Sequence, residues 1–368
     1  MNQARTPDSV AELAAAWKAR HPVVGTVFLR FADTRVAVHS NSEALLEALS
    51  TYYRDFPGEP AAPGEAEIEV TALECPAPDL GLAYKPKPLE PGKKKVKEEF
   101  VDLADGRVVR KRLTGLVFLF GGGENLALGP CLENDNQIVN FINNRHIERL
   151  IKGGCLLFHA SGVALGNRGI SMAGFAGMGK STLSLAVMRH GTDFVSNDRV
   201  MVERATDGGP ETLRMHGLAK MPRVNPGTVL NNDALTPVIP AAERCRFEAL
   251  PAAELWDLEH KYDAFIDECF GPGKFRLSCP LSALVLLNWT RTDDPLRIAR
   301  IDLRRRRDLM PAFMKELGLF FEMDRDASLR DFSADAYLAM LDGCPVYEFS
   351  GGVDFEAAAE ACMDILRG

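Results

Sequence analysis

Residues 174–181 read Gly-Phe-Ala-Gly-Met-Gly-Lys-Ser, and this stretch restricts the fold more tightly than any other in the chain. Three glycines within six positions allow backbone conformations that side chains forbid. The preceding segment, Gly169–Ala173, is strand-length and apolar, and Thr182–Met188 has the character of a helix that closes at Gly191. A strand that passes through a glycine-rich turn into a helix aims successive N–H groups and the positive helix end at one point, where an oxyanion fits. The pattern G-x4-G-K-[ST] arises by chance in about one in a hundred chains of this length. On this reading the backbone of Gly174, Phe175, Ala176, Gly177, Met178 and Gly179, with Thr182 at the helix start, cradles the phosphates of a nucleoside triphosphate. Lys180 supplies a compact positive charge to the β- and γ-phosphates, and the Ser181 hydroxyl holds Mg²⁺.

Around this loop the chain alternates strand-like and helix-like segments. Gln137–Ile151 carries Ile138, Phe141, Ile142, Ile147, Leu150 and Ile151 at helical spacing and ends at Gly153-Gly154. Cys155–Val163 reads as one strand, paired through a Gly166–Gly169 turn with the strand entering the loop, and a further strand lies near Phe194. Ala283–Trp289 and Pro345–Phe349 read as strands, whereas Arg305–Leu317, Ala334–Leu341 and Phe355–Leu366 read as helices. The expected fold class is α/β with a mixed sheet, and the texture changes near residue 130. Before that point the pattern is α+β: a hairpin over 24–38, a helix over Ser42–Tyr53 with Asn41 or Ser42 as N-cap, and strands over 98–128 with turns at Asp105-Gly106 and Gly121–Gly123. The sequence therefore predicts an N-terminal domain over 1–130, of unassigned role, and a catalytic domain over 131–368.

Two further groups are candidates for the chemistry. Asn197 and Asp198 follow Lys180 by seventeen and eighteen residues at the end of the strand near Phe194, where a second Mg²⁺ contact belongs, so Asp198 is a metal ligand or a base. His159 precedes Gly174 by fifteen residues. If its strand pairs with the one entering the loop, its imidazole can orient a base or donate to developing charge; otherwise it is a satisfied core histidine.

His159, the loop Gly174–Ser181 and the step Asn197-Asp198, in that order and spacing over about 155–203, resemble the catalytic domain of bacterial HPr kinase/phosphorylase. Among its relatives, the HPr kinase-related proteins of the B type are the most similar. The resemblance implies a P-loop fold related to that of phosphoenolpyruvate carboxykinase, with ATP and Mg²⁺ as cofactors and transfer of phosphate to a hydroxyl. By the same resemblance Lys180, Ser181 and His159 match the family's loop lysine, its serine and its strand histidine. Where the family has two aspartates, the first a general base and the second near the metal, this chain has Asn197 and Asp198. An amide cannot accept a proton from a hydroxyl. Either Asp198 takes over as base, or no base is needed, or the chain is an ATPase or nucleotide-binding switch. The resemblance also implies a dedicated partner protein, through a bacterial gene system with an ATP-grasp enzyme, and a possible homo-oligomer.

Composition bounds the partners. With 43 Lys+Arg against 51 Asp+Glu the net charge is −8, which argues against a nucleic-acid coat. The longest apolar runs, Leu116–Phe120 and Ala283–Leu287, are too short to span a membrane, the N-terminus lacks a signal-peptide block, and eight cysteines without C-x-x-C spacing read as reduced thiols. The expectation is a cytoplasmic protein with an unidentified phosphate acceptor. Lys93, Lys94, Lys95 and Lys97 read as a solvated loop, and Arg304–Arg307 as a solvated helix start. Lys220–Gly227 reads as a phosphate or substrate grip or a surface loop, and Leu255–Asp263 as a substrate rim, an oligomer contact or a packed helix.

Overall fold

Alternating burial and two short turns build the first sheet. β1 (Gly25–Phe31) and β2 (Thr34–Ser40) pair antiparallel as the expected hairpin, with Phe31 opposite Thr34. The Ser42 side chain caps the helix that follows, accepting from Leu45 N at 3.2 Å. The structure is a computed structural model that describes residues 8–89, 95–206, 211–251, 254–255, 258, 260–321 and 331–368. Contacts divide the chain into two units, Met1–Arg149 with Leu317–Leu329, and Leu150–Glu316 with Arg330–Gly368. The boundary expected near 130 falls within the first of these units.

The first unit contains α1 (Val10–Arg20), β1, β2, α2 (Glu43–Tyr52), β3 (Ile68–Glu74), β4 (Lys85–Pro86), β5 (Glu98–Asp102), β6 (Gly106–Lys111), β7 (Val117–Gly121), β8 (Glu124–Gly129) and most of α3 (Asp135–Lys152). Its eight strands form one mixed sheet in the order β1-β2-β3-β8-β7-β6-β5-β4, in which β3 runs parallel to β2 and β8. The Asp105 carboxylate receives the backbone N–H groups of Val10 and Ala11 at 2.6 and 3.1 Å, satisfying two orphan donors of α1. Gly106 allows the β6–β7 ladder to close, because a Cβ there would lie 2.2 Å from the Phe120 carbonyl oxygen.

The second unit holds β9 (Leu156–Phe158), β10 (Ala160–Leu165), β11 (Arg168–Gly174), α4 (Lys180–Met188), β12 (Asp193–Ser196), β13 (Val200–Ala205) and β14 (Thr212–His216). There follow β15 (Arg223–Val224), α5 (Pro226–Leu230), α6 (Ala241–Glu248), β16 (Tyr262–Asp263), α7 (Ile266–Phe270), β17 (Ser278–Thr290), β18 (Arg297–Ile301), α8 (Ala334–Met340), β19 (Val346–Gly352) and α9 (Phe355–Arg367). The nine-stranded sheet is mixed: β11, β17 and β19 run parallel, while β10 is antiparallel to β11 and β12. Alternation along β11 feeds two cores. Ile170 and Met172 pack with Leu183, Val187, Cys362 and Met363 of α4 and α9, and Ala173 packs in the cluster of Phe158, Phe313 and Tyr337. The α/β class with a mixed sheet stands as expected.

Two local readings are corrected. The single strand over Cys155–Val163 is broken at His159: β9 pairs with β13, whereas β10 pairs with β11 and β12. Between them the His159 N–H leaves both ladders and donates to the Phe313 carbonyl at 2.7 Å. The helix expected over Arg305–Leu317 shrinks to a 3₁₀ turn, Arg307–Ala312, with Pro311 inside it. Proline lacks the N–H that an α-helix needs, and the chain beyond it runs beside β9, with Met314 bridging Phe158. None of the eight cysteines is disulfide-bonded, and among the described residues no helix is long and apolar enough to cross a membrane.

Candidate functional site

Three strand ends meet at one place in the second unit. Because β10 is antiparallel to both β11 and β12, its amino end lies at the carboxyl ends of the other two. The register pairs Ala160 with Ala173 and Gly162 with Ser196. That sets His159 beside the start of the glycine-rich loop and Asn197-Asp198 at the same sheet edge, the edge where ligands bind in open α/β sheets.

The loop leaves β11 at Gly174 and becomes α4 at Lys180. Gly177 and Gly179 hold left-handed φ values of 79° and 80°. At Gly179 there is no room for a side chain either, since a Cβ would lie 2.6 Å from the Phe355 ring. From below, buried Trp289 donates its indole N–H to the Met178 carbonyl at 3.0 Å and packs edge-on against Phe355. β17 and α9 thus fix the loop from two sides. The tip residues Phe175, Ala176 and Gly177 are exposed, Phe175 to 38%.

Lys180, Ser181 and the step Asn197-Asp198 lie together at this edge. The Lys180 ammonium donates to the Gly174 carbonyl at 2.8 Å, closing the loop on itself. The Ser181 hydroxyl donates to Asn197 Oδ1 at 2.7 Å. His159 Nε2 lies 3.1 Å from Asp198 Oδ1, so the histidine belongs to this cluster rather than to the core. The Thr182 hydroxyl shares a 2.8 Å hydrogen bond with the Thr228 hydroxyl. Asp198 adopts φ 68°, a left-handed conformation that aspartate tolerates better than most residues.

The electrostatics favour anions. The hydrogen bond from His159 holds the Asp198 carboxyl well below the usual carboxylate range, against the opposing effect of burial, and Lys315 and Arg199 push it the same way. Arg199 Nε stands 3.9 Å from Asp198 Oδ2. Burial lowers Lys180, and Lys315 lowers it further while Asp198 opposes. Lys220 is likewise lowered, first by burial and then by Arg199. Several cations are thus gathered around one carboxylate. The sequence reading named Lys220 but passed over Arg199, Lys315, Trp289 and Phe355. Lys315 reaches the site because the expected helix is absent: 313–315 runs beside Phe158 and His159 instead.

Two other segments prove to be neighbours. Arg223-Val224 of Lys220–Gly227 pairs with Tyr262-Asp263, as β15 and β16, and Arg223 lies 3.7 Å from Asp263. Trp256, Asp257 and Glu259 of the second segment, like Lys93 and Lys94, lie outside the described residues. Arg304, Arg306 and Arg307 are paired with Asp342, Asp308 and Asp335 and take no part in the site.

The oxygen donors at the loop, Ser181 Oγ, Asn197 Oδ1 and the Asp198 carboxylate, form a hard set that suits Mg²⁺ rather than a soft metal. A separate group lies elsewhere in the same unit: Cys155 just before β9, Glu203 of β13 and His216 of β14 bring ligand atoms within 4.8 Å of one another. Its S, O and N donors suit zinc better than Mg²⁺. Within it, His216 Nε2 lies 2.9 Å from Glu203 Oε1, a pair that satisfies itself.

No family model matches the chain, and no curated protein matches it. Among solved structures, the HPr(Ser) kinase/phosphatase from Coxiella burnetii is 13% identical over 57% of this chain and 87% of that one, with a TM-score of 0.28. A likeness of that size carries no argument about activity, so the site stands on its own geometry: a mixed α/β fold in which a glycine-rich loop, a lysine and an acidic step share one sheet edge.

Proposed function

We propose that this chain binds ATP with Mg²⁺ at the 174–181 loop and transfers the terminal phosphoryl group to a hydroxyl acceptor. The observation that carries the reading is the convergence of Lys180, Ser181, Asn197-Asp198 and His159 on the mouth of a strand–loop–helix unit whose glycines have left-handed φ. Such a loop offers backbone N–H groups to phosphate oxygens, and Lys180 would exchange the Gly174 carbonyl for a phosphate.

Ser181 and Asp198 would hold the Mg²⁺, which neutralises phosphate charge when bound. A carboxylate held as low as Asp198 is a weak proton acceptor and remains ionised, which favours the metal role over the base role. His159 fixes its orientation, and Arg199, Lys220 and Lys315 gather charge where the transferred group would sit. Phosphoryl transfer has a loose transition state, so positioning and charge do most of the work and a missing first carboxylate is tolerable.

One observation favours a second reading. Asn197 stands where a base would and binds Ser181, and an amide takes no proton. In that case water is the acceptor, or the nucleotide acts as a switch. The test is incubation of the protein and its Lys180→Ala variant with γ-labelled ATP, Mg²⁺ and a bacterial lysate. A labelled acceptor that is lost with Lys180→Ala supports the kinase. Lys180-dependent free phosphate alone supports the second reading, and turnover unchanged by Lys180→Ala rejects both. The variant is expected to lose about a hundredfold or more in turnover.

A further inference from the structure

The first unit contains a cavity of about 460 Å³, within the range of small-molecule sites. Its rim carries Lys87, Lys95, Lys97 and Lys111. Among the described residues one carboxylate lines it, Glu98, which is paired with Lys111 and lies 3.8 Å from Lys87, so the described lining carries 4 − 1 = +3 in a protein of net charge −8. A cation excess of this kind in a concave wall concentrates anions.

The wall opposite is apolar and built in advance. Phe141 and Phe320 line it with Leu89 and Leu113, and Leu113 is 83% exposed. Phe320 is held from several directions: its carbonyl accepts from buried Arg145, its ring stacks on Phe120 at 5.9 Å, and it meets Phe118 and Phe141 edge-on. The Lys111 ammonium lies 4.8 Å from the Phe320 ring centre, so charge and aromatic face adjoin. Helix α3 turns Gln137, Asn140 and Asn144 toward the same space as Phe141, at the spacing of one helix face. Gln137 Oε1 is buried there without a hydrogen-bond partner among the described residues, an acceptor that lacks a donor.

We infer that this cavity is a binding site for a small organic anion, a phosphate or carboxylate joined to a flat apolar body, separate from the loop site. The lysines take the anionic group, Phe141 and Phe320 take the body, and a hydroxyl or N–H on the ligand satisfies Gln137. A purely inorganic ion would leave the aromatic wall unused, and a neutral hydrocarbon would leave the lysines unused. Lys95 and Lys97 belong to a run that reads as a solvated loop, and only the fold places them against α3.

The test is calorimetric titration of the full chain with 1-naphthyl phosphate, 1-naphthoate, 1-naphthol and inorganic phosphate, in the native protein, in Lys180→Ala and in Lys95→Ala/Lys97→Ala. Because Lys95 and Lys97 are exposed, their replacement leaves the core intact. The expected result is that at least one of the two naphthyl anions binds about tenfold or more tightly than both naphthol and inorganic phosphate. Its affinity should be unchanged in Lys180→Ala and should fall about tenfold or more in the double variant. If both anions bind, their ratio separates phosphate from carboxylate as the preferred group. Equal binding of inorganic phosphate would reduce the cavity to a basic patch, and equal binding of naphthol would reduce it to an apolar crevice. Retention in the double variant, loss in Lys180→Ala, or no anion binding below millimolar concentration would each overturn the assignment.

Discussion

The two anion sites we propose are built from different materials. The 174–181 loop is made of backbone, with glycine conformations, a helix start and a carbonyl pinned by Trp289. The cavity of the first unit is made of side chains from β6, from the segments flanking β4 and β5, from α3 and from Phe320. A backbone site needs consecutive residues in fixed conformations, so it leaves a contiguous signature. A side-chain site needs only that distant positions end at one point, so its residues are scattered from 87 to 320. The first kind resists substitution at its glycines and the second kind yields gradually, because each of several lysines carries part of the charge.

That contrast breaks most visibly at Gly179. Gly179→Val forces a β-branched residue to a φ of 80° and drives a Cβ into the Phe355 ring. Nucleotide affinity should fall about a hundredfold or more, as measured by titration with a fluorescent ATP analogue, with cavity binding unchanged. Gly177→Ala has a similar φ and open space around it, so its cost should be only about 1 kcal/mol, read as a small shift in Tm. If the two variants behave alike, φ rather than the Phe355 contact governs the loop.

A smaller effect tests the support beneath the loop. Trp289→Phe keeps most of the packing against Phe355 and removes the donor to the Met178 carbonyl. The expected cost is about 1 kcal/mol, seen as a several-fold loss in nucleotide affinity with little change in thermal stability. An equal loss of stability would mean that Trp289 serves the core alone.

The smallest effect is one of pH. The folded Asp198 carboxyl lies below its unfolded value, so its contribution to stability is complete above the unfolded carboxylate pKa, about 4, and fades as pH falls through the lower folded value. In His159→Ala the main cause of the depression is gone and the carboxyl rises toward the ordinary range. The difference in Tm between wild type and variant should therefore narrow as pH falls below the unfolded carboxylate pKa, about 4. A gap that stays constant into strong acid would contradict the pairing of His159 Nε2 with Asp198.

How much was legible follows from the range of each interaction. The Ser42 cap, the 24–38 hairpin, the turn at Gly121–Gly123 and helix α9 depend on neighbours a few residues away, and the sequence predicts each of them. His159 shows the limit. Spacing left it open between the site and the core, and the strand containing it is two strands, β9 pairing with β13 and β10 with β11 and β12. The helix over Arg305–Leu317 failed where Pro311 and the packing of Phe313 against Phe158 and Tyr337 outweighed apolar periodicity. That failure is what carries Lys315 to Asp198.

By itself the sequence determined the loop, its lysine and serine, and the Asn197-Asp198 step after the next strand, because these are local in the chain. Only the tertiary structure decided which cations face Asp198, that Lys220–Gly227 and Tyr262-Asp263 are adjacent, and that four lysines and two phenylalanines of the first unit share a cavity. The physical reason is separation: Coulomb attraction and apolar packing act through space across hundreds of residues of chain, and no periodicity or motif encodes where such residues meet.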